Sequence, residues 1–270
     1  VSELLDLARS VALEAGELAA RRRREGVAVA ATKSTIVDVV TEADREVERL
    51  VLGRLQDARP RDGVLGEEGA SVASSSGLTW VVDPIDGTVN YLYGLPHYAV
   101  SIALVAGDPD PLSWESRVGV VVNPATGELF TAERAGGAFC GDRRLRVADP
   151  VPLELALVAT GFAYHADTRA RQGETVARML PRVRDIRRQG TASLDFCFVG
   201  DGRYDAYFER TLSPWDHAAG ALIAAEAGAR VVGMGGAAPS RELVLAGHPD
   251  VVARLEALLH EVGALDYPLP

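Results

Sequence analysis

Apolar residues recur at helical spacing from the start of the chain. Leu4, Leu5, Ala8, Val11, Ala12, Ala15, Leu18 and Ala19 share one face, and Ser2 stands where an N-cap belongs. The pattern predicts a long first helix whose C-terminal run, Arg21-Arg22-Arg23-Arg24, faces its own dipole. A loop with Lys33, Ser34, Thr35 and Asp38 follows, and Val37, Val39 and Val40 predict a short strand. Thr41 and Asp44 form a capping-box-like pair opening a second helix, with Val47, Leu50, Val51 and Leu55 inward. Val64-Leu65 reads as a strand tip, and Gly66-Glu67-Glu68-Gly69 as a turn presenting at least one carboxylate. The stretch from Ser71 to Gly77 reads as a mobile polar loop.

The next stretch organises the rest. Val81-Val82 predicts the end of a buried strand, and Pro84, which has no N–H to donate, should end the pairing where Asp83 and Asp86 appear. Gly87 lets the backbone approach a ligand, and Thr88 opens a helical turn. Tyr98 to Ala106, Val118 to Asn123, Gly127 to Ala132 and Gly137 to Cys140 then alternate with turn residues. An antiparallel meander after two helices is an α+β beginning. Asp149-Pro150-Val151-Pro152 is the candidate seam. Beyond it strands are expected at Leu155 to Thr160, Asp185 to Arg187, Asp205 to Glu209, Arg230 to Val232 and Leu243 to Ala246. Helices are expected at Thr191 to Val199, Trp215 to Ala227 and after Pro249.

Composition narrows the class. A 270-residue chain that is 47% hydrophobic can bury one large core or two joined ones. The net charge of −10 argues against a nucleic-acid surface. Cys140 and Cys197 give no disulfide framework, and Cys197, among Leu194, Phe196 and Val199, reads as a small core residue. No stretch approaches a membrane span and no signal pattern opens the chain, so a reduced, soluble, cytoplasmic protein is expected.

The chemistry lies in acids placed at element ends: Asp44, Glu67, Glu68, Asp83, Asp86, Glu209 and Asp216. Carboxylates beside an exposed amide turn suit a hard divalent cation bridging to a phosphate. Asp83-x-x-Asp86 is one residue too long for the Asp-x-Asp nucleophile of haloacid-dehalogenase-type phosphatases, so no covalent phosphoenzyme is expected. The five histidines have no metal-ligand spacing. Asp216, just inside the helix that Pro214 introduces, also suits a plain helix cap.

Gly66-Glu67-Glu68, Asp83-Pro84-Ile85-Asp86-Gly87-Thr88 and Trp215-Asp216-His217-Ala218-Ala219-Gly220 together resemble the inositol monophosphatase family of Mg²⁺-dependent, lithium-sensitive phosphatases. The resemblance extends from Lys33 to Glu226-Ala227-Gly228. It implies a layered αβαβα sandwich of α+β and α/β parts. Residues 1–148 would form an α+β unit carrying most metal ligands, and 149–270 an α/β unit supplying Asp216 and the specificity residues.

By the same resemblance Glu67, Asp83, Asp86, Asp216 and the Ile85 carbonyl match the ligands of two or three Mg²⁺ ions. Glu68 stands behind them. Asp44 and Thr88, with Glu67, match the group that activates water. Asp86 and Asp216 also face substrate; Gly87 and Thr88 match the phosphate turn, and Gly190, Thr191, Ala192 and Glu209 the alcohol-binding part. Arg187 matches a position near that pocket or a subunit interface, and Ser193 replaces a common Ala. The implied activity is hydrolysis of a small phosphate monoester, myo-inositol 1-phosphate first, by a homodimer. Fructose 1,6-bisphosphate, histidinol phosphate and 3′-phosphoadenosine 5′-phosphate are alternatives, and an inactive dimeric scaffold is the alternative of another class.

Overall fold

The Ser2 hydroxyl accepts a hydrogen bond from the Leu5 amide and starts α1 (Glu3–Glu25), which buries Leu5, Ala8, Val11, Ala12, Ala15 and Leu18. The computed structural model describes residues 2–27, 29–32 and 39–269. Lys33, Ser34, Thr35, Val37 and Asp38 of the expected loop and strand lie outside the described residues. Around them β1 (Val29–Thr32), which was not expected, pairs antiparallel with β2 (Val39–Thr41). Thr41 and Asp44 close a capping box on α2 (Glu42–Ala58), whose Val47, Val51 and Leu55 are buried.

The first large sheet uses β3 (Gly63–Gly66), β4 (Ser71–Val72), β5 (Leu78–Asp86), β6 (Ala99–Ala106), β7 (Glu115–Asn123), β8 (Glu128–Glu133), β9 (Gly137–Cys140) and β10 (Arg143–Arg144). Helix α3 (Thr88–Tyr93) follows β5. The order is β10-β9-β8-β7-β6-β5-β3-β4; the expected meander runs from β5 to β10, while β3 lies parallel to β5. Two expectations are corrected. Pro84 does not end the pairing: Asp83 pairs with Ser101 and Asp86 with Ala99, one extra residue being absorbed as a bulge. The Ser71 to Gly77 stretch is a two-residue strand and a fastened loop. The Ser75 and Ser76 amides donate to the Arg61 carbonyl at 2.9 and 3.1 Å, and the Ser76 hydroxyl donates to Asp62 at 2.7 Å.

The second large sheet uses β11 (Leu157–Thr160), β12 (Asp185–Arg187), β13 (Ala206–Glu209), β14 (Arg230–Val232) and β15 (Val244–Gly247), in the order β12-β11-β13-β15-β14. Its helices are α4 (Ala166–Met179), α5 (Ala192–Gly200), α6 (Pro214–Glu226) and α7 (Pro249–Glu261). The hydrophobic pattern does not predict α4, because its buried positions are Thr168, Gln172, Thr175 and Met179. The spacing is helical but the residues are mostly polar, so burial leaves no hydrophobic stripe to read.

Five layers result. One core joins α1 and α2 to Trp80, Val82, Ile102 and Val120 on one face of the first sheet. The opposite face, with Val81, Ala103 and Val121, packs on Leu194 and Cys197 of α5 and Ala219 and Ile223 of α6. The same two helices meet Ala159, Tyr207 and Ala246 of the second sheet, whose far face is covered by α7 and Met179. The fold is a layered αβαβα sandwich of α+β character, with both sheets buried on two sides. Gly119 permits the central contact, since a Cβ there would come within 2.7 Å of the Ala219 carbonyl oxygen on α6.

His97, on the link between α3 and β6, packs edge-to-face on Phe198 at 5.6 Å, and burial lowers its pKa to about 4. Below the ordinary value near 6.5, the unfolded chain takes a proton that the folded one refuses, so this group costs stability as pH falls from 6.5 toward 4. His97→Phe should remove on the order of 1–2 kcal/mol of acid destabilisation. Urea unfolding at pH 7 and pH 4.5 checks this, and identical pH dependence in variant and parent would contradict it.

Candidate active site

The parallel pairing of β3 with β5 sets the site. Gly66 lies beside Val82, so the residues that follow both strands emerge side by side, and the Glu67 amide donates to the Val82 carbonyl at 3.2 Å. Glu67 thereby stands with Asp83 and Asp86 at the carboxyl end of two parallel strands, a common place for ligands. The bulge at Pro84-Ile85 brings both aspartates into one cavity of about 300 Å³, lined also by Ile85, Gly87, Thr88 and Asp216. Gly87 has φ +88°, and a Cβ there would meet the Thr191 hydroxyl at 2.4 Å. Both the turn conformation and the space require glycine.

Two carboxylates are held by the same device. Asp44 is the third residue of α2, where its Oδ2 accepts from the Thr41 amide at 2.7 Å and from the Thr41 hydroxyl. Its Oδ1 accepts from the Thr88 hydroxyl at 3.2 Å, and the Ile85 carbonyl lies 3.1 Å from that same hydroxyl. Asp216 is the third residue of α6, where its Oδ2 accepts from the Ser213 amide at 2.7 Å. The cap read from the sequence is therefore present, and it occupies one oxygen while the residue still lines the cavity. Asp86 is tied across the layers, its Oδ2 accepting from the Ser193 amide of α5 at 2.7 Å.

The second half supplies the remaining wall with Phe162, Arg188, Gly190, Ala192, Glu209 and Trp215. Asn90 fastens it to the first half, its side-chain amide donating to the His97 and Gln189 carbonyls at 2.8 Å each. Two expected pocket residues are placed elsewhere. Arg187, at the end of β12, pairs with Asp185 at 2.5 Å, and Arg188, the residue after the strand, lines the cavity instead. The Thr191 side chain is buried and donates to the His97 carbonyl at 2.8 Å, bracing the turn rather than facing the cavity. Asp44 also lies behind the cavity wall, bonded to the Thr88 that lines it.

Residues without a sequence signal join the site from behind. Glu48 is buried beneath the Glu67-Glu68 turn and accepts from the Glu68 amide at 2.9 Å. Asp195 is fully buried on α5, and neither of its oxygens has a hydrogen-bond partner. Its position in a helix, four residues after Thr191, could have flagged an acid on the inward face. Arg241, Tyr164 and His165 reach the rim from loops that carry no periodic pattern.

Confinement shows in the electrostatics. Burial, then the neighbouring Glu67, Asp86 and Asp216, raise the Asp83 pKa well above the ordinary carboxylate range. Burial raises Asp216 likewise and takes Asp86 and Asp44 to about 6. Among the described residues no three His, Cys, Asp or Glu side chains form a ready-made metal cage; the carboxylates share a cavity instead. The donor set nevertheless fits a hard divalent cation: it is all oxygen, it is mutually repulsive, and the buried Asp83 Oδ1 has no hydrogen-bond partner.

The model of the inositol monophosphatase family matches residues 1–264. The inositol-1-monophosphatase SuhB of Mycobacterium tuberculosis is 40% identical over all of this chain and 97% of its own length. A protein of Pseudomonas aeruginosa called Nus factor SuhB is 38% identical, covering 91% of this chain and 89% of its own. Among solved structures, the extragenic suppressor protein suhB of Bartonella henselae superposes with a TM-score of 0.88 at 35% identity, covering 96% of this chain and 98% of that one. The chain belongs to the inositol monophosphatase family and is a phosphatase of that class. Among the described residues no helix is long and apolar enough to cross a membrane.

Raised carboxylate pKa values favour the folded state below the unfolded value of 3.8, and that advantage is lost as pH climbs through the folded values, about 6 for Asp86. A divalent cation should therefore raise the melting temperature more at pH 8 than at pH 5. Thermal melts with and without millimolar Mg²⁺ at both pH values test this, and equal shifts would remove the carboxylates as its site.

Proposed function

We propose that this phosphatase hydrolyses a phosphate monoester of a small polyol with Mg²⁺, myo-inositol 1-phosphate being the leading substrate. The observation that carries the reading is one cavity lined by Glu67, Asp83, Asp86, Asp216 and Glu209, with the Thr88 hydroxyl in its wall bonded to Asp44 behind it. Glu67, Asp83, Asp86, Asp216 and the Ile85 carbonyl would hold the ions. Such ions would supply Lewis acidity to a water and to the phosphoryl and leaving-group oxygens.

The protein's own groups position and move protons. The Thr88 hydroxyl donates to Asp44, which leaves its lone pairs to accept from a water and fix its orientation. Asp44, with its pKa at about 6, is mainly ionised near neutral pH and can receive a proton relayed through Thr88. The Gly87 and Thr88 amides begin a turn with αL backbone and offer donors to phosphate oxygens. Glu209 accepts hydrogen bonds from vicinal hydroxyls of the alcohol portion, while Gly190 and Ala192 give that portion room. The chain is expected to work as a homodimer, which light scattering would check.

Phosphate release should depend on Mg²⁺ and be led by inositol 1-phosphate over fructose 1,6-bisphosphate, histidinol phosphate and 3′-phosphoadenosine 5′-phosphate. Asp86→Asn keeps an acceptor for the Ser193 amide but removes a charge, and should cost on the order of 100-fold or more in kcat with the fold retained. Near-normal turnover would end the metal-ligand assignment. Lithium should inhibit, and full activity at high lithium would separate this protein from the family's behaviour. Glu209→Ala should lower kcat/KM about tenfold more for inositol 1-phosphate than for p-nitrophenyl phosphate; equal losses would refute its role in recognising the polyol.

A further inference from the structure

The Glu209 carboxylate is held in a socket made by two residues that the sequence did not single out. Strands β11 and β13 run parallel, with Thr160 beside Phe208, so the next residue on each strand brings Gly161 next to Glu209. A Cβ built on Gly161 would lie 2.0, 2.1 and 2.2 Å from Glu209 Oε2, Oε1 and Cδ. The carboxylate thus occupies the volume of the side chain that Gly161 lacks. Gly161 has no left-handed backbone to accommodate, so the demand is for space alone.

The other side of the socket is a hydroxyl. Tyr207 is fully buried, its ring packed edge-to-face on Phe196 at 4.9 Å, and it donates to Glu209 Oε2 at 2.6 Å. The ring cannot move without opening the core between α5 and the second sheet. That hydrogen bond engages Oε2, and with both oxygens packed against Gly161 it restricts rotation of the carboxylate. We infer that Gly161 and Tyr207 are positioning residues that set the alcohol specificity by locking the Glu209 carboxylate in one orientation for vicinal hydroxyls. A locked carboxylate also stays in the way of a second anionic group on the substrate, because it cannot swing aside.

This inference rests on the reading of Glu209 as the polyol-recognising group, and a double-mutant cycle keeps the two separable. The readout is the ratio of kcat/KM for inositol 1-phosphate to that for p-nitrophenyl phosphate. Gly161→Ala should lower the ratio about tenfold by displacing the carboxylate, and Tyr207→Phe about three- to tenfold. In the Glu209→Ala background Gly161→Ala should cost nothing further, because the clashing group is gone; any loss of thermal stability caused by Gly161→Ala should be relieved there too. Gly161→Ala should also raise the relative rate on fructose 1,6-bisphosphate. If Glu209→Ala lowers the ratio while Gly161→Ala leaves it unchanged, or costs as much without the carboxylate as with it, the socket is overturned and the polyol reading stands. If Glu209→Ala does not change the ratio, the polyol reading fails and the socket's role in specificity fails with it.

Discussion

Like charges confined among buried side chains repel, and much of this structure is a means of holding them together. Several acids of the site are restrained by something other than their neighbours. Asp44 and Asp216 each give one oxygen to a helix cap, and Asp86 accepts from the first turn of α5. Glu67 is placed by the end of β3, its amide bonded to the strand beside it. Charge-assisted hydrogen bonds of this kind oppose the burial that raises the carboxylate pKa values, without cancelling it. The carboxylate repulsion that remains is what suits the cavity to the cation proposed above.

The layered architecture turns this local problem into a site between halves. Helices α5 and α6 are sandwiched by the two sheets, and their N-terminal turns carry Ala192, Ser193 and Asp216 toward the ends of β3 and β5. Any shift of the second sheet relative to the first would therefore change the Asp86–Ser193 contact and the position of Asp216 together. The Asn90 amide, bonded to carbonyls on both sides, opposes such a shift. Both halves therefore contribute to one cavity, Glu67, Asp83 and Asp86 from the first sheet and Glu209 from the second, with Asp216 on the helix between them.

Much of the fold was legible where burial and hydrophobicity coincide. The long first helix, the capped second helix and the meander announce themselves by period, because one face of each meets an apolar core. Helix α4 was invisible because its inward face is Thr168, Gln172 and Thr175, with Gln172 accepting from the Ala163 amide at 2.9 Å. The polar loop before β5 looked mobile because its anchors, the Arg61 carbonyl and Asp62, are distant in the chain. Pro84 looked like the end of pairing because a missing donor says nothing of a bulge that lets pairing resume.

The sequence by itself determined the acids, their attachment to helix caps and strand ends, and the family whose motifs they form, since these depend on near neighbours in the chain. Only the tertiary structure decided which of two adjacent arginines faces the cavity, that Thr191 braces a turn, and that Gly161 makes room for Glu209. These outcomes depend on strand register and on which layers meet. Such long-range choices are set by the packing of whole elements, and no local spacing encodes them.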